Sequence, residues 1–219
     1  MLLGSLTTVT GVVERRQTLP ILANVFMRLK GNQLTLVGTD LEVEISVDTE
    51  ALSGEDGECT VTARKLLDIC RALPETAIID FSGESDKAKL RSGRSRFTLQ
   101  ALPSTDFPRL DAGNWEERFK MPQLALKSLF DRTGFSMAQQ DVRYFLNGVL
   151  LELDQNTITA VATDGHRLAK ATTNIEKGSI EDSAFILPRK AVQELTRTMN
   201  EEKDCKLSYS ANQATFNYG

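Results

Sequence analysis

The sequence predicts an α+β protein built from two copies of one domain. Residues 22–40 and 146–164 are identical at eight of nineteen aligned positions, without a gap. Each copy has a helical apolar pattern before this segment and another after it. A repeat of this length exceeds the roughly 20 to 50 residues of a solenoid unit, so it indicates a duplicated domain. A chain of 219 residues, of which 41% are apolar, is long enough for two separate cores.

Apolar spacing predicts the elements of the first copy. Leucine and valine at spacings of four and three predict a helix over residues 2–9. Residues 34–37 and the alternating residues 41–47 predict strands. A second helix is predicted over 62–73, with a threonine at its N-cap and a proline directly after it. Basic and apolar residues over 90–100 extend this copy further.

The second copy repeats this order and adds an element in front. Residues 117–121 alternate like a strand, and a helix is predicted over 124–135, with a proline before it and a glycine near its end. Residues 158–162 and 168–172 predict strands joined by Asp-Gly, which is a strong hairpin signal.

An Arg-Lys pair aligns the later helices of the two copies. Residues 63–65, Ala-Arg-Lys, align with residues 188–190, Pro-Arg-Lys. The offset of this alignment is one residue larger than the offset between residues 22–40 and 146–164. Pro188 is predicted to be the first helical residue, because a proline ring fixes φ near its helical value. Asn200 is predicted to cap the end of the same helix.

The two copies differ at their ends. The strand at 117–121 has no counterpart before Met1, and the residues after position 90 have none after Gly219. A missing strand leaves an unpaired sheet edge, which natural proteins avoid. We therefore expect a longer chain truncated at both ends here, with a first domain over 1–115 that lacks its opening strand and a second over 116–219 that lacks its closing strands. The linker between them is predicted at 111–116.

Composition excludes several classes of protein. No apolar run approaches the roughly 20 residues that cross a bilayer, and the start lacks the pattern of a signal peptide. Cys59, Cys70 and Cys205 are widely spaced and form no metal or redox motif. We expect a soluble cytoplasmic protein with no cofactor and no metal site.

Charge is divided unevenly along the chain. The net charge is −4, which argues weakly against a nucleic-acid partner. Three predicted helices nevertheless carry +5 together, so the remainder carries −9. Each helix is more readily explained as a solvated face, but the three together raise the alternative of one basic surface that faces a polyanion. Their charged residues are Arg64, Lys65, Asp68, Arg71, Lys127, Asp131, Arg132, Arg189, Lys190, Glu194 and Arg197.

Residues 163–168 look most like a chemical site. They contain Asp164 and His166, the only histidine, which suggests a general base with an orienting carboxylate. The sequence contains no recognisable nucleophile motif, metal motif or phosphate loop to complete an enzyme. The first copy has Thr39 and Asp40 at the matching place, so Thr-Asp is interpreted as a structural turn. Residues 165–167 are interpreted as an addition in the second copy only.

Three polar segments remain as candidates for binding. Residues 91–97 are either a phosphate-contacting arm or a basic edge strand, in which arginines discourage unwanted pairing. Arg15 and Arg16 predict an exposed basic loop. Residues 139–144 have a polar, partly aromatic composition that suits contacts to a nucleic acid, but by composition alone they are interpreted as an ordinary loop.

These residues together resemble the bacterial sliding clamp, the beta subunit of DNA polymerase III. The resemblance covers essentially the whole chain and implies tandem clamp domains, each with two helices packed on antiparallel sheets, with two of the family's three domains present. The motifs that carry it are Thr-Leu-Pro-Ile-Leu at 18–22, Gly-Thr-Asp-Leu-Glu at 38–42, Ala-Arg-Lys at 63–65, Arg-Ser-Gly-Arg-Ser-Arg-Phe at 91–97, Asp-Val-Arg-Tyr-Phe-Leu-Asn-Gly at 141–148, Ala-Thr-Asp-Gly-His-Arg-Leu-Ala at 162–169 and Pro-Arg-Lys at 188–190.

The resemblance implies a non-catalytic processivity factor. Family members form a head-to-tail homodimeric ring around duplex DNA and contact its backbone, so that no base sequence is read. The implied DNA-binding residues are Arg16, Gln140, Tyr144 and, more weakly, Lys190. Phe145 stands where the family often has a tyrosine.

The resemblance also implies two protein-binding surfaces. Short linear peptides of DNA polymerase and clamp-loader subunits bind a second-domain pocket formed by Leu146, Thr163, Gly165, His166, Arg167 and Leu168. A subunit interface is implied at Lys65, Arg94, Arg96 and Phe97. Without the third domain, we expect this chain to be monomeric and to bind such peptides weakly or not at all. Two alternatives stay open: a two-domain interaction module that does not encircle DNA, and a hydrolase that uses Asp164 and His166.

Overall fold

The chain divides into two compact units, residues 1–111 and 112–219. The computed structural model describes residues 2–14, 19–84, 86–110, 119–175, 180–199, 202–210 and 213–218. The predicted linker at 111–116 lies outside these ranges, as does the predicted cap Asn200. The first unit contains α1 (Leu2–Val9), β1 (Asn24–Lys30), β2 (Gln33–Thr39), β3 (Glu44–Glu50), β4 (Gly57–Thr62), α2 (Ala63–Ala72), β5 (Asp80–Gly83), β6 (Lys87–Ser92) and β7 (Ser95–Leu102).

One antiparallel sheet organises the first unit, in the order β3-β2-β1-β4-β7-β6-β5. Helices α1 and α2 supply the buried Leu6 and Leu66 to its main core, where Leu36 of β2 is also fully buried. A smaller core of five buried residues lies apart from the main one. It consists of Ile21, Leu22, Phe26, Val37 and Phe107.

The second unit contains two antiparallel sheets, in the orders β11-β10-β9-β12 and β14-β13-β8. Its main core contains residues from both helices and both sheets, such as Phe130, Leu151 and Leu207. The elements are β8 (Phe119–Pro122), α3 (Gln123–Thr133), β9 (Gly148–Gln155), β10 (Thr157–Thr163), β11 (Leu168–Asn174), β12 (Ile180–Pro188), α4 (Arg189–Thr198), β13 (Asp204–Tyr209) and β14 (Ala214–Asn217).

Strand pairing confirms the internal repeat. Phe26 pairs with Val37 in the first unit, and Leu150 pairs with Val161 in the second, at the offset of the sequence alignment. The predicted helices are confirmed, as are the predicted strands at 34–37, 158–162 and 168–172. The strand predicted over 41–47 begins only at Glu44, because residues 41–43 belong to the turn after β2. The described residues also include β8, which has no counterpart in the first unit, and β7, which has none in the second.

The predicted helical start at Pro188 is wrong by one residue. Pro188 is the last residue of β12, where it pairs with Gly148, and its ψ of 147° is extended. Helix α4 therefore begins at Arg189, as α2 begins at Ala63 after Thr62. A proline tolerates this position because it can end a strand without donating a further ladder hydrogen bond.

The interpretation of residues 91–97 as an edge strand is also wrong in part. They form the hairpin between β6 and β7, with Gly93 at a φ of +57° in its turn. β7 pairs with β6 over residues 95–100 and with β4 only at Ala101 and Leu102. Within the residues that the structure describes, one side of β7 is thus an open edge from 95 to 100.

None of the helices in the described ranges is long and apolar enough to cross a lipid bilayer. Over the same ranges, no cluster of three or more histidine, cysteine or acidic residues is arranged to hold a metal ion.

Candidate nucleic-acid and peptide interfaces

A five-residue turn joins β10 to β11 and carries most of the predicted peptide pocket. The Thr163 hydroxyl donates to the carbonyl oxygen of Arg167 at 2.7 Å and accepts the Gly165 amide. Asp164 Oδ1 accepts the amides of His166 and Arg167, each at 3.0 Å. These bonds satisfy the turn's own backbone and leave its other side chains exposed to solvent.

The first unit contains the same turn, at the same length. Thr39 donates to the Val43 carbonyl oxygen, and Asp40 accepts two following amides. Leu41 has a φ of 79°, and Gly165 at the equivalent position has 88°. Thr-Asp is thus structural in both copies. The interpretation of residues 165–167 as an addition is wrong, because they replace Leu-Glu-Val and add nothing.

The geometry does not support a catalytic Asp164–His166 pair. Asp164 accepts a hydrogen bond from the backbone amide of His166 rather than from its imidazole ring. The second carboxylate oxygen of Asp164 accepts a hydrogen bond from Arg167 Nε at 3.0 Å. The two backbone amides are the main cause that lowers the pKa of Asp164. Both carboxylate oxygens are therefore engaged in holding the turn, whereas a catalytic carboxylate would orient the imidazole ring.

A braced loop between α3 and β9 carries two predicted DNA-binding residues. Asp141 accepts Arg143 through both carboxylate oxygens, at 3.0 and 2.9 Å, and this contact is the main reason that its pKa falls to about 2. Asn147 bonds to the backbone of Asp141 in both directions. Gln140, directly before Asp141, has a φ of 55°, and Tyr144, between Asp141 and Asn147, is 83% exposed.

The loop touches the turn at Gly165. A methyl group added to Gly165 would lie 3.3 Å from Arg143 Nη2, so a larger residue would displace the guanidinium. Glycine also suits the left-handed backbone at this position. Arg143 therefore links the predicted DNA-binding loop to the predicted peptide pocket within one domain.

The predicted pocket residues divide between two neighbouring surfaces. His166 and Arg167 line a groove of about 340 Å³, together with Phe135, Asp141 and Arg189. The Arg167 guanidinium lies 5.7 Å from the centre of the Phe135 ring. Leu146, Thr163, Gly165 and Leu168 do not line this groove. Sequence reasoning missed Phe135 as a lining residue, although an exposed phenylalanine directly after a helix is a usable signal.

The predicted subunit-interface residues gather on the first unit. Lys65 of α2 and Arg96 and Phe97 of β7 line a shallow groove of about 480 Å³. Arg94 lies in the neighbouring hairpin turn and does not line it. The groove runs beside the open edge of β7. Ile69 and Leu99, which sequence reasoning missed, give it an apolar floor.

The remaining predicted DNA-binding residues are less well placed. Arg16 lies outside the described residues. Lys190 is half-buried at the second position of α4. Its neighbour Arg189 donates to the carbonyl oxygens of Met137 and Ala138, each at 3.2 Å, and so holds the start of α4 against the segment that precedes the loop.

Comparison with known proteins shows that the chain is similar to bacterial sliding clamps. The chain is 50% identical over 203 residues to the beta sliding clamp of Pseudomonas aeruginosa, covering 92% of this chain and 55% of that protein. It is 46% identical over 200 residues to the beta sliding clamp of Escherichia coli, covering 91% of this chain and 54% of that protein. The chain thus spans about half the length of these curated relatives.

Solved structures give the same result. A crystal structure of the DNA polymerase sliding clamp from Pseudomonas aeruginosa superposes with a TM-score of 0.93 and 44% identity, covering 100% of this chain and 60% of that one. Residues 1–111 match the family model of the DNA polymerase III beta subunit N-terminal domain, and residues 120–219 match that of its central domain. The chain therefore belongs to the DNA polymerase III beta subunit family, of which it contains these two domains.

Proposed function

We propose that this chain supplies two domains of a sliding clamp, a non-catalytic processivity factor that encircles duplex DNA and docks other replication proteins. The observation that carries the proposal is the similarity to beta sliding clamps, which runs through both domains and nine-tenths of the chain. The encircling ring would hold polymerase on its template by topology, because encircled DNA cannot leave sideways.

DNA contact is assigned to the loop that carries Gln140 and Tyr144. Both residues are exposed, and the bonds of Asp141 and Asn147 fix the loop in one conformation. An amide and a phenol contact phosphates and sugars without reading bases, which suits a protein that slides. Lys190 and Arg16 are further candidates whose positive charge would favour binding to DNA.

Peptide docking is assigned to the turn and its surroundings. Leu146 and Leu168 offer apolar contact, and Arg167 lies over Phe135 with its stem available for packing. DNA polymerase and clamp-loader subunits would bind here through short peptides. The subunit interface is assigned to the groove at Lys65, Arg96 and Phe97, whose open strand edge and positive charge suit an acidic strand of a second subunit.

Retention on circular DNA tests the proposal. We would build a hybrid in which residues 1–219 of this sequence take the place of the matching segment of the Pseudomonas aeruginosa clamp. The hybrid would then be loaded onto nicked circular DNA. We expect retention at moderate salt that is lost when the circle is linearised, because a ring slides off a free end. Equal retention on both forms would contradict encirclement and favour an interaction module that does not surround DNA.

A matched pair of variants tests the loop assignment in the same hybrid. Gln140→Ala combined with Tyr144→Ala should weaken equilibrium binding of the hybrid to short duplex DNA about tenfold or more, since each substitution removes a backbone contact. Val142→Ala changes an exposed apolar residue of the same loop and should leave this affinity unchanged. Equal behaviour of the two variants would overturn the assignment.

A further inference from the structure

The side chain of Arg167 is held at two points. Its Nε donates to Asp164 Oδ2 at 3.0 Å, within the turn between β10 and β11. Its guanidinium carbon lies 5.7 Å from the centre of the Phe135 ring, which projects from the segment after α3. A guanidinium at this distance from an aromatic face is attracted by the negative face of the ring. The two contacts together fix the direction of a side chain that is otherwise 58% exposed.

The backbone that carries Phe135 is firmly anchored. Met137 and Ala138, which follow it closely, are buried. The Ala138 amide donates to the carbonyl oxygen of Leu146 at 3.0 Å. Arg189 donates to the carbonyl oxygens of Met137 and Ala138, each at 3.2 Å. The ring of Phe135 is 61% exposed, yet it projects from a segment that these contacts hold in place.

The first domain lacks both members of this pair. At the offset of 124 residues that relates the two copies, Phe135 corresponds to Gly11. Arg167 corresponds to Val43 at the same offset. The turn that contains Val43 nevertheless has the same length and the same threonine and aspartate hydrogen bonds. A turn of this kind therefore closes without an aromatic residue against an arginine, so the pair in the second domain is not required by the fold of the turn.

The contact with Phe135 also separates the charge of Arg167 from the leucines of the proposed peptide pocket. Arg167 and Phe135 line the groove of about 340 Å³, whereas Leu146 and Leu168 do not. Because the guanidinium is occupied by Asp164 and the ring, the methylene stem is the part of Arg167 that an apolar side chain can pack against. A long side chain that is already ordered also avoids an entropy cost when a ligand binds.

We propose that Phe135 is a positioning residue for peptide docking. Its ring holds the guanidinium of Arg167 in the groove, so that the stem of the arginine is ordered before a peptide with apolar side chains arrives. This role rests on the proposed docking of peptides at the turn, and it adds a residue that acts through Arg167. The aromatic character of Phe135, and not its size alone, is what the role requires.

Nuclear magnetic resonance of the chain of 219 residues tests the contact directly. The protons on Nε and Cδ of Arg167 should be shifted upfield by the ring current, and Phe135→Leu should abolish this shift. Phe135→Trp should retain it, because indole forms the strongest contact of this kind. Leu124→Ala, an exposed apolar residue of α3, is the matched control and should leave the signals unchanged. An unshifted Arg167 in the unsubstituted chain would overturn the proposal.

Peptide affinity in the hybrid clamp tests the consequence for docking. The probe is a short fluorescein-labelled peptide selected for saturable binding to the unsubstituted hybrid, and its affinity is measured by anisotropy. Phe135→Leu should weaken binding about two- to fivefold, the range that a cation–π contact at an exposed site supplies. Phe135→Trp should restore the affinity, and Leu124→Ala should not alter it. Equal affinities of the leucine and tryptophan variants would overturn the positioning role.

A double-mutant cycle shows whether Phe135 acts through Arg167. Arg167→Met keeps an unbranched apolar stem and removes the guanidinium. In that background, Phe135→Leu should weaken binding by less than about 1.5-fold, because the partner of the ring is already gone. Additive effects of the two substitutions would overturn the proposal. A hybrid that binds no such peptide would contradict the proposed docking, and this role with it, whereas a peptide that binds regardless of residue 135 contradicts this role alone.

Discussion

The guanidinium of Arg64 donates a hydrogen bond to the carbonyl oxygen of Val13 at 3.1 Å. Arg189 makes the matching bond in the second domain, to the carbonyl oxygen of Met137. Met137 lies 124 residues after Val13, which is the offset of the repeat. Each arginine ties the start of the later helix to the segment that follows the earlier one. Part of the basic charge on these helices is therefore structural, and less of it is available to a polyanion than the sequence alone suggests.

Removing Arg189 should destabilise the second domain. Arg189→Ala leaves the carbonyl oxygens of Met137 and Ala138 without their charged donor, at a cost of about 1–3 kcal/mol in free energy of unfolding. Urea denaturation would measure this. Arg71→Ala, at an exposed position of α2, should change the free energy by less than about 0.5 kcal/mol. An equal effect of both substitutions would contradict the structural role of Arg189.

Two glycines should respond in opposite directions to alanine. Gly165→Ala forces a side chain onto a left-handed backbone and against Arg143, so we expect a loss of about 1–2 kcal/mol. Gly4→Ala lies in α1 with no atom within 4 Å of the added methyl group, so we expect a gain of about 0.5–1 kcal/mol. Thermal unfolding of both variants checks the signs, and a stabilising Gly165→Ala would show that the turn is not strained by a side chain.

The loop should keep its brace in mild acid. Contact with Arg143 lowers the pKa of Asp141 from 3.8 to about 2. Because the folded pKa is depressed, the stabilising contribution is complete above the unfolded value and is lost as the pH falls through about 2. Carbon-13 titration of the Asp141 carboxyl should show this low midpoint, and Arg143→Gln should raise it only part of the way, because the backbone amide of residue 143 still donates to Oδ1. A midpoint near 4 in the unsubstituted chain would refute the contact.

The cysteines should react slowly in the folded chain. Burial raises the pKa of the Cys59 thiol to about 11 and that of Cys205 to about 12, and it raises that of Cys70 as well. Little reactive thiolate therefore exists at pH 8. A chromogenic disulfide reagent should titrate the thiols only after guanidinium unfolds the chain. A rapid phase with the native chain that disappears in Cys59→Ser would identify Cys59 as accessible instead.

Sequence periodicity was sufficient for the four helices, for much of β2, β3, β10 and β11, and for the duplication. The apolar spacing of α2 and α4 and the alternation of β3 are local properties, so they are readable without tertiary contacts. The boundary at Pro188 was misplaced because a proline suits the first helical position as well as the end of a strand. The Arg-Lys alignment itself was correct, since Arg64 and Arg189 make equivalent carbonyl contacts, although they occupy different positions in their helices.

The sites were predictable only in part. Lys65, Arg96 and Phe97 meet in one groove because α2 lies beside β7, a relationship that no local pattern contains. Phe135 remained unnoticed because its contact with Arg167 crosses from the end of α3 to a turn between strands. The equal length of the two Thr-Asp turns was also missed, since it follows from hydrogen bonding and not from identity.

The equal length of the turns at 39–43 and 163–167 makes the first domain a scaffold for protein engineering. The threonine and aspartate side chains hold both turns, and they lie outside the three residues that differ. Grafting Gly-His-Arg onto residues 41–43 would transplant the proposed peptide-binding turn of the second domain into the first without changing the chain length. It would also replace Leu41, a leucine held at a φ of 79°, with a residue for which that backbone is unstrained.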